Sequence, residues 1–332
     1  MISAGIDVSA KQLHVVVNNK AGQSSAVKVF SNDDSGINKL LSYLKKRNVV
    51  RVVLEATGVY HLDAALKVDE KSTIDIMVLN PKAASHYAKA RSSRGKTDAI
   101  DAGLLADYAQ QMPFTVWQPP RKTLVSLRIC SRRLAALAKQ RARLKNQRHA
   151  LVRHSTTPDF ILEDIELSIT QTQDQIQALE KRTLELIRQD EHLSACYKLL
   201  ISVKGIAKKS AIQLLGELMV LPEELQAKQW VAMAGLDPRP HESGTSVHKR
   251  TRINKAGNRY LRHALFMPAL SASRHVTEVK AYREHLVNNR GLKKIQAICA
   301  VMRKLLHAIH AMWRKKQVFD ATCFYRAIET NN

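Results

Sequence analysis

No run of about 18 apolar residues occurs anywhere in this 332-residue chain, which excludes a helical membrane span, and no secretory pattern precedes Asp7. A soluble protein of the cytoplasm is expected. Cysteine is scarce and scattered. Cys130, Cys196, Cys299 and Cys323 have neither the clustering of a disulfide framework nor the spacing of a zinc site, and they read as small core hydrophobes. Aromatic residues make up only 5% of the chain, too few for extended base-stacking platforms. Acids are missing from two long stretches, 121–153 and the segment between Ser243 and Ser273. Lysine and arginine fill those gaps. They number 53 against 29 acids, a net charge of +24 that seeks polyanions.

The charge is uneven, and the unevenness divides the chain. Residues 1–115 carry 15 basic and 11 acidic side chains, 121–153 carry 11 and none, 161–191 carry 3 and 8, and 196–332 carry 24 and 9. The near-balanced first segment can keep a cluster of acids for chemistry, while polyanion binding falls to the middle helix and the last segment. Pro119 and Pro120 mark the first boundary. The map that results has a catalytic domain at 1–115, a helical connector at 121–191 and a basic domain at 196–332.

In the first segment, period-two patterns predict strands at 4–9, 12–18, 26–30, 50–55 and 74–79. Helices are predicted at about 34–47, at 59–68 and beyond Pro81. This is a mixed α/β layer of the RNase H or RuvC-like kind. Asp7 closes the first strand, Glu55 ends the run RVVLE, and Asp98 and Asp101 share one helical face in KTDAIDAGLLADYA. Oxygen donors from several elements suit hard Mg²⁺ ions and phosphodiester chemistry. Each acid also has an ordinary reading: Asp7 as a turn cap, Glu55 as a partner of Arg51, Asp98 and Asp101 as a solvated helix face. The order of strand acid, strand acid, then paired helix acids is what favours one site. The GKT at Gly95–Thr97 lacks the preceding strand and first glycine of a phosphate loop.

Past the two prolines, Leu127, Leu134, Leu137, Leu144 and Leu151 recur at coiled-coil spacings. So do Ile165, Ile169, Thr172, Ile176, Leu179, Thr183 and Leu186, and a dimerisation seam is favoured over a purely internal hairpin. Arg132, Arg133, Arg141 and Arg143 read as contacts to a nucleic-acid backbone. Further on, Gly205 separates two helical patterns and is flanked by Lys204 and Lys208, as in a helix-hairpin-helix element. Ala207 stands where the second glycine belongs, so a plain turn is an equal reading. After the Ser243–Gly244 turn, Lys249, Arg250, Arg252, Lys255 and Arg259 form a phosphate cradle. Ser243 alone reads as a turn former, and the cations around it make its hydroxyl a candidate at a phosphodiester. His307 and His310 share a helix face without a third ligand and read as core or phosphate-contacting residues.

Five strings, GIDVSAK, LEATGVY, KTDAIDAGLLADY, VKGIAKKSA and AGLDPRPHESGTSVHKRTRINKAGNRYLRHALFMPA, run in this order. Together they resemble the DEDD transposases of the Piv-type insertion-sequence family over essentially the whole chain. The resemblance implies a site-specific recombinase that excises and inserts its own mobile element. Its architecture would be an α/β RuvC-like amino-terminal domain, a coiled-coil connector and a mainly α-helical transposase domain. It implies an acidic tetrad of Asp7, Glu55, Asp98 and Asp101 working with Mg²⁺, and a reactive serine, Ser243, that links covalently to DNA. The implied partners are donor and target DNA, a structured bridge RNA that pairs with both, and further copies of the chain, as a dimer that doubles on synapsis. Nucleoid association in the active state follows from the same resemblance. Two other classes stay open. A RuvC-like junction endonuclease would use the acids and water with Ser243 a mere turn, and a non-catalytic nucleic-acid scaffold would leave the acids idle.

Overall fold

The computed structural model describes residues 1–56, 58, 60–91, 97–243 and 247–325, the side chains of 240–251 excepted. The chain divides into two compact units, Met1–Pro119 and Pro120–Asn332.

The first unit is built on strand alternation. β1 (Ser3–Val8) and β2 (Gln12–Asn18) form an antiparallel hairpin, and β3 (Lys28–Ser31) pairs antiparallel with β2. α1 (Asp34–Lys46) is capped by the Asp33 carboxylate, which accepts from the Gly36 amide at 2.7 Å. It leads to β4 (Arg51–Glu55), parallel to β1, and α2 (Leu62–Lys71) leads to β5 (Asp75–Leu79), parallel to β4. α3 (Pro81–Ala90) and α4 (Asp98–Gln111) follow, and the sheet order is β3-β2-β1-β4-β5. Ala4, Ile6, Leu13, Val15, Val52 and Leu54 face one side, where they pack with Ile37, Leu40 and Leu44 of α1 and Val68 of α2. Residues out of phase with these serve the opposite face, where α4 lies: Val16 packs with Ala102 and Ala106, and Val53 with Leu105.

In the second unit, α5 (Lys122–Leu151) and α6 (Asp159–Gln189) form an antiparallel hairpin, as the cross-pairs Arg141–Gln173 and Arg148–Glu166 record. Part of the heptad stripe is covered inside the chain, while Leu144, Leu151, Leu179 and Leu186 are half-buried. Leu127, Leu134, Leu137 and Ile176 join the same core as Ile212 and Leu215 of α8 (Lys208–Leu218), which follows α7 (Glu191–Ser202). Thr172 and Thr183 are buried because their hydroxyls donate back to the carbonyls of Ser168 and Leu179. α9 (Ala227–Ala234) precedes a two-stranded antiparallel ribbon, β6 (Pro238–Ser243) and β7 (Val247–Ile253). α10 (Arg259–His275), α11 (Thr277–Glu284), a π turn at His285–Asn289 and α12 (Lys294–Lys315) complete the unit. Among the described residues no helix is long and apolar enough to cross a membrane.

Gly205 and the four cysteines read from the sequence take the following places. Gly205 has φ +114°, and a Cβ on it would stand 3.0 Å from both the Pro268 carbonyl and the Ala272 amide. Its close approach is to α10, a packing reason for glycine in this turn. Cys196 is buried and Cys130 and Cys299 are half-buried, but Cys323 is exposed in a 3₁₀ turn, its thiol donating to Asp320 at 3.4 Å.

Candidate functional site

The register of the sheet brings the amino-terminal acids together. His14 lies directly opposite Asp7 on β2, and the pairing of Ile6 with Leu54 sets Glu55 beside Asp7 at the carboxyl ends of two parallel strands. α4 lies close against this face. The Ser3 hydroxyl donates to the Ala106 carbonyl at 2.9 Å, and a Cβ on Gly5 would fall 2.0 Å from the Ala102 carbonyl and 2.3 Å from the Ala106 amide. Glycine and alanine at this contact let the helix seat its first turn, with Asp98 and Asp101, over the strand ends. The Thr97 hydroxyl caps that turn by accepting from the Ile100 amide at 3.3 Å, and the helix dipole favours anions there. Gly5→Val is therefore expected to force α4 off the sheet, at about 1–3 kcal/mol, and to slow cleavage with every acid intact. Urea unfolding beside a cleavage assay checks this, and wild-type values in both would mean that α4 tolerates another seat.

Asp7 is half-buried, and its carboxyl is held above the usual range, first by burial and then by Asp98, Asp101 and Glu55, with His14 opposing. The other three acids thus act on Asp7. Asp7, His14 and Asp98 bring ligand atoms within 4.8 Å of one another, and His14 Nε2 stands 3.5 Å from Asp98 Oδ2. His14 Nδ1 is buried and has no hydrogen-bond partner among the described residues. Carboxylate oxygens with one imidazole nitrogen beside them are the donor chemistry of a divalent cation, and mutual repulsion gives such a cation something to neutralise. Glu55 and Asp101 line a cleft of about 320 Å³ together with Tyr87, Lys89 and Tyr108.

Asp107, the third acid of the same helical motif, does different work. It accepts from the Tyr87 hydroxyl at 2.8 Å and pairs with Arg91 Nε at 3.1 Å, while Tyr87 meets Tyr108 edge-on at 5.1 Å. Burial and then Asp107 push the Tyr87 hydroxyl up to about 12. These contacts fix α3 on α4 as a wall of the cleft. His14 is the site residue that sequence reasoning missed. Its signal was a lone polar side chain in the strand LHVVV, which a hairpin folded about Ser9 and Gln12 sets across from Asp7.

Ser243 is the last residue of β6, its backbone opposite Val247. Its side chain, those of Lys249 and Arg250, and all of Gly244, Thr245 and Ser246 lie outside the described residues, as do Gly95 and Lys96. Arg133, Arg143, Lys204, Lys208, Arg252, Lys255 and Arg259 are exposed. Arg132, expected to contact nucleic acid, is engaged within the protein. Its guanidinium donates to both carboxylate oxygens of Glu217, at 2.7 and 3.0 Å, and stacks over Tyr260 at 4.6 Å. Glu217 is only 1% exposed and also meets Arg128 and Asn258, so Arg132 shares in neutralising a buried charge. Arg141 is half-buried against Gln173. His310 belongs to the packing: its Nε2 meets the Leu225 carbonyl at 2.9 Å and its ring lies edge-on to Trp230.

A strongly basic chain whose acids gather at strand ends beneath a helix start has the make-up of an enzyme that acts on DNA strands. Residues 4–156 match the DEDD transposases of the IS110 type, and residues 197–284 match the transposase IS116/IS110/IS902 family. The pilin gene-inverting proteins of Moraxella bovis and Moraxella lacunata are each 31% identical over 302 residues, covering 88% of this chain and 89% of theirs. The chain belongs to the IS110 family of transposases and site-specific DNA recombinases.

Proposed function

We propose that the protein is a Mg²⁺-dependent recombinase of its own mobile element, with a RuvC-like first unit, Ser243 as nucleophile and a bridge RNA as guide. The observation that carries this reading is the crowding of Glu55, Asp98 and Asp101 upon half-buried Asp7. The sheet order β3-β2-β1-β4-β5, antiparallel on one side and parallel on the other, supports the RuvC-like assignment. Asp7, Glu55, Asp98 and Asp101 would hold the metal, with His14 beside them. When bound, Mg²⁺ neutralises these carboxylates and polarises the scissile phosphate.

The Ser243 hydroxyl supplies the attacking oxygen. Its O–P bond forms as one P–O bond to deoxyribose breaks, and the hydroxyl proton ends on the departing sugar oxygen. The number of phosphodiester bonds is unchanged, so the reverse step rejoins strands without ATP. The exposed cations Arg133, Arg143, Lys204, Lys208, Arg252, Lys255 and Arg259 hold backbones in place and leave sequence choice to RNA pairing. A dimer, doubled when two DNA sites meet, is the working assembly.

Denaturing electrophoresis of the protein with labelled donor and target DNA and Mg²⁺ tests this directly. A covalent adduct is expected whose peptide carries its phosphodiester on Ser243. The nucleic acid that co-purifies should be an RNA with separate segments complementary to donor and target. Cut DNA without an adduct would favour the junction-endonuclease reading, and co-purifying RNA of random sequence would remove the guide.

A further inference from the structure

Beside β7 and the start of α12 lies a groove of about 590 Å³ that joins two of the cations named above, Arg252 and Lys255, to residues with no role so far. Its lining includes the aliphatic side chains of Leu292 and Ile295, and Ile295 is 55% exposed. Four cations line it from four places in the chain: Arg252 on β7, Lys255 in the following turn, Arg290 after the π turn and Arg303 on α12. Among the described residues no acid lines the groove, and none of the four cations pairs with a carboxylate.

Two backbone features place these charges. Lys255 has φ +56°, in the left-handed region that disfavours side chains other than glycine. An irregular conformation kept at a lysine points to a use for its charge. The chain before Arg290 widens into a π turn and is ended by Gly291 at φ +64°; such turns gather at functional sites.

We infer that this groove binds a single-stranded segment of nucleic acid, its phosphates held by the four cations and its unstacked bases laid on Leu292 and Ile295. The inference rests on the recombinase reading and adds a subsite to it. A duplex turns its bases inward and offers this surface only phosphates, leaving the apolar side chains uncovered. A strand with splayed bases meets both demands, charge for the cations and apolar faces for the aliphatic side chains. The groove lies at the foot of the ribbon, the end of β6 opposite to Ser243.

Fluorescence anisotropy with the full chain tests the inference, using a labelled oligothymidylate, an oligouridylate and a duplex of equal length, each titrated with salt. Arg290→Gln combined with Arg303→Gln should lower the single-strand salt slope by about 1.4, at about 0.7 per phosphate contact. Ile295→Ser should weaken single strands about tenfold, from lost apolar burial, with the slope and duplex binding unchanged. Lys255→Gly removes a charge while relieving the backbone, so it should melt no lower than wild type and still bind single strands more weakly. Comparison of the two oligonucleotides decides whether the strand is DNA or RNA. Equal losses for duplex and single strand, or unchanged single-strand binding in Ile295→Ser, would overturn the inference. So would light scattering that shows Ile295→Ser separating oligomers, which would assign this apolar surface to a second copy. Wild-type protein that binds no nucleic acid at all would instead strike the recombinase reading itself.

Discussion

Asp7→Asn is expected to abolish strand cleavage, by more than about a hundredfold, while nucleic-acid binding persists and the metal-free protein becomes harder to unfold. Asp7 is half-buried among Glu55, Asp98 and Asp101, and it holds its proton to a higher pH folded than unfolded. Between those two values the folded chain binds more protons. Stability from this group is therefore complete below the ordinary aspartate range and is lost as pH rises through the raised value. At neutral pH an ionised Asp7 opposes folding, and asparagine keeps the shape without the charge. The same charge is what a divalent cation would use, so Mg²⁺ should raise the melting temperature of the wild type more than that of the variant. Cleavage kinetics, salt-titrated binding and melting with and without Mg²⁺ check each part. Wild-type cleavage, or an equal response to metal in both proteins, would remove Asp7 from the site.

Ser243→Ala is expected to lose recombination and the covalent adduct together, whereas Thr245→Ala and Ser246→Ala keep both. A serine hydroxyl in a covalent link has no substitute in its methyl analogue. Mixing Asp7→Asn chains with Ser243→Ala chains should restore part of the recombination. An assembly of several chains can draw its acids from one and its hydroxyl from another. No complementation from folded, co-assembled mutants would mean that each chain works with its own acids and serine.

The first unit was largely legible because strand alternation is a local property. The period-two runs in MISAGIDV, LHVVVNN and RVVLE give the strands, and the same period sends Asp7 and Glu55 to the face away from Ile6 and Leu54. The role of Gly5 was not legible, since it depends on which helix crosses that face. Arg132 and Arg133 show the limit more sharply: adjacent in sequence, one is locked to Glu217 and Tyr260 and the other is exposed. The positions of α8 and α10 separate them, and those are set by contacts distant in sequence. Heptad spacing likewise reports that Leu127 and Leu134 need cover without saying whether it comes from α6 and α8 or from another chain.

The pairing of β1 with its two neighbours carries a further consequence. Asp7 meets His14 on one side and Glu55 on the other in a single register. Successive side chains point to opposite faces, so a slip of one residue in either ladder would turn an acid into the apolar layer of Ile37 and Leu40 and leave the other face without its cluster. On the proposed metal-dependent reading, a chain still finding its strand partners has no place to gather the metal, and competence to cut arrives only with correct pairing.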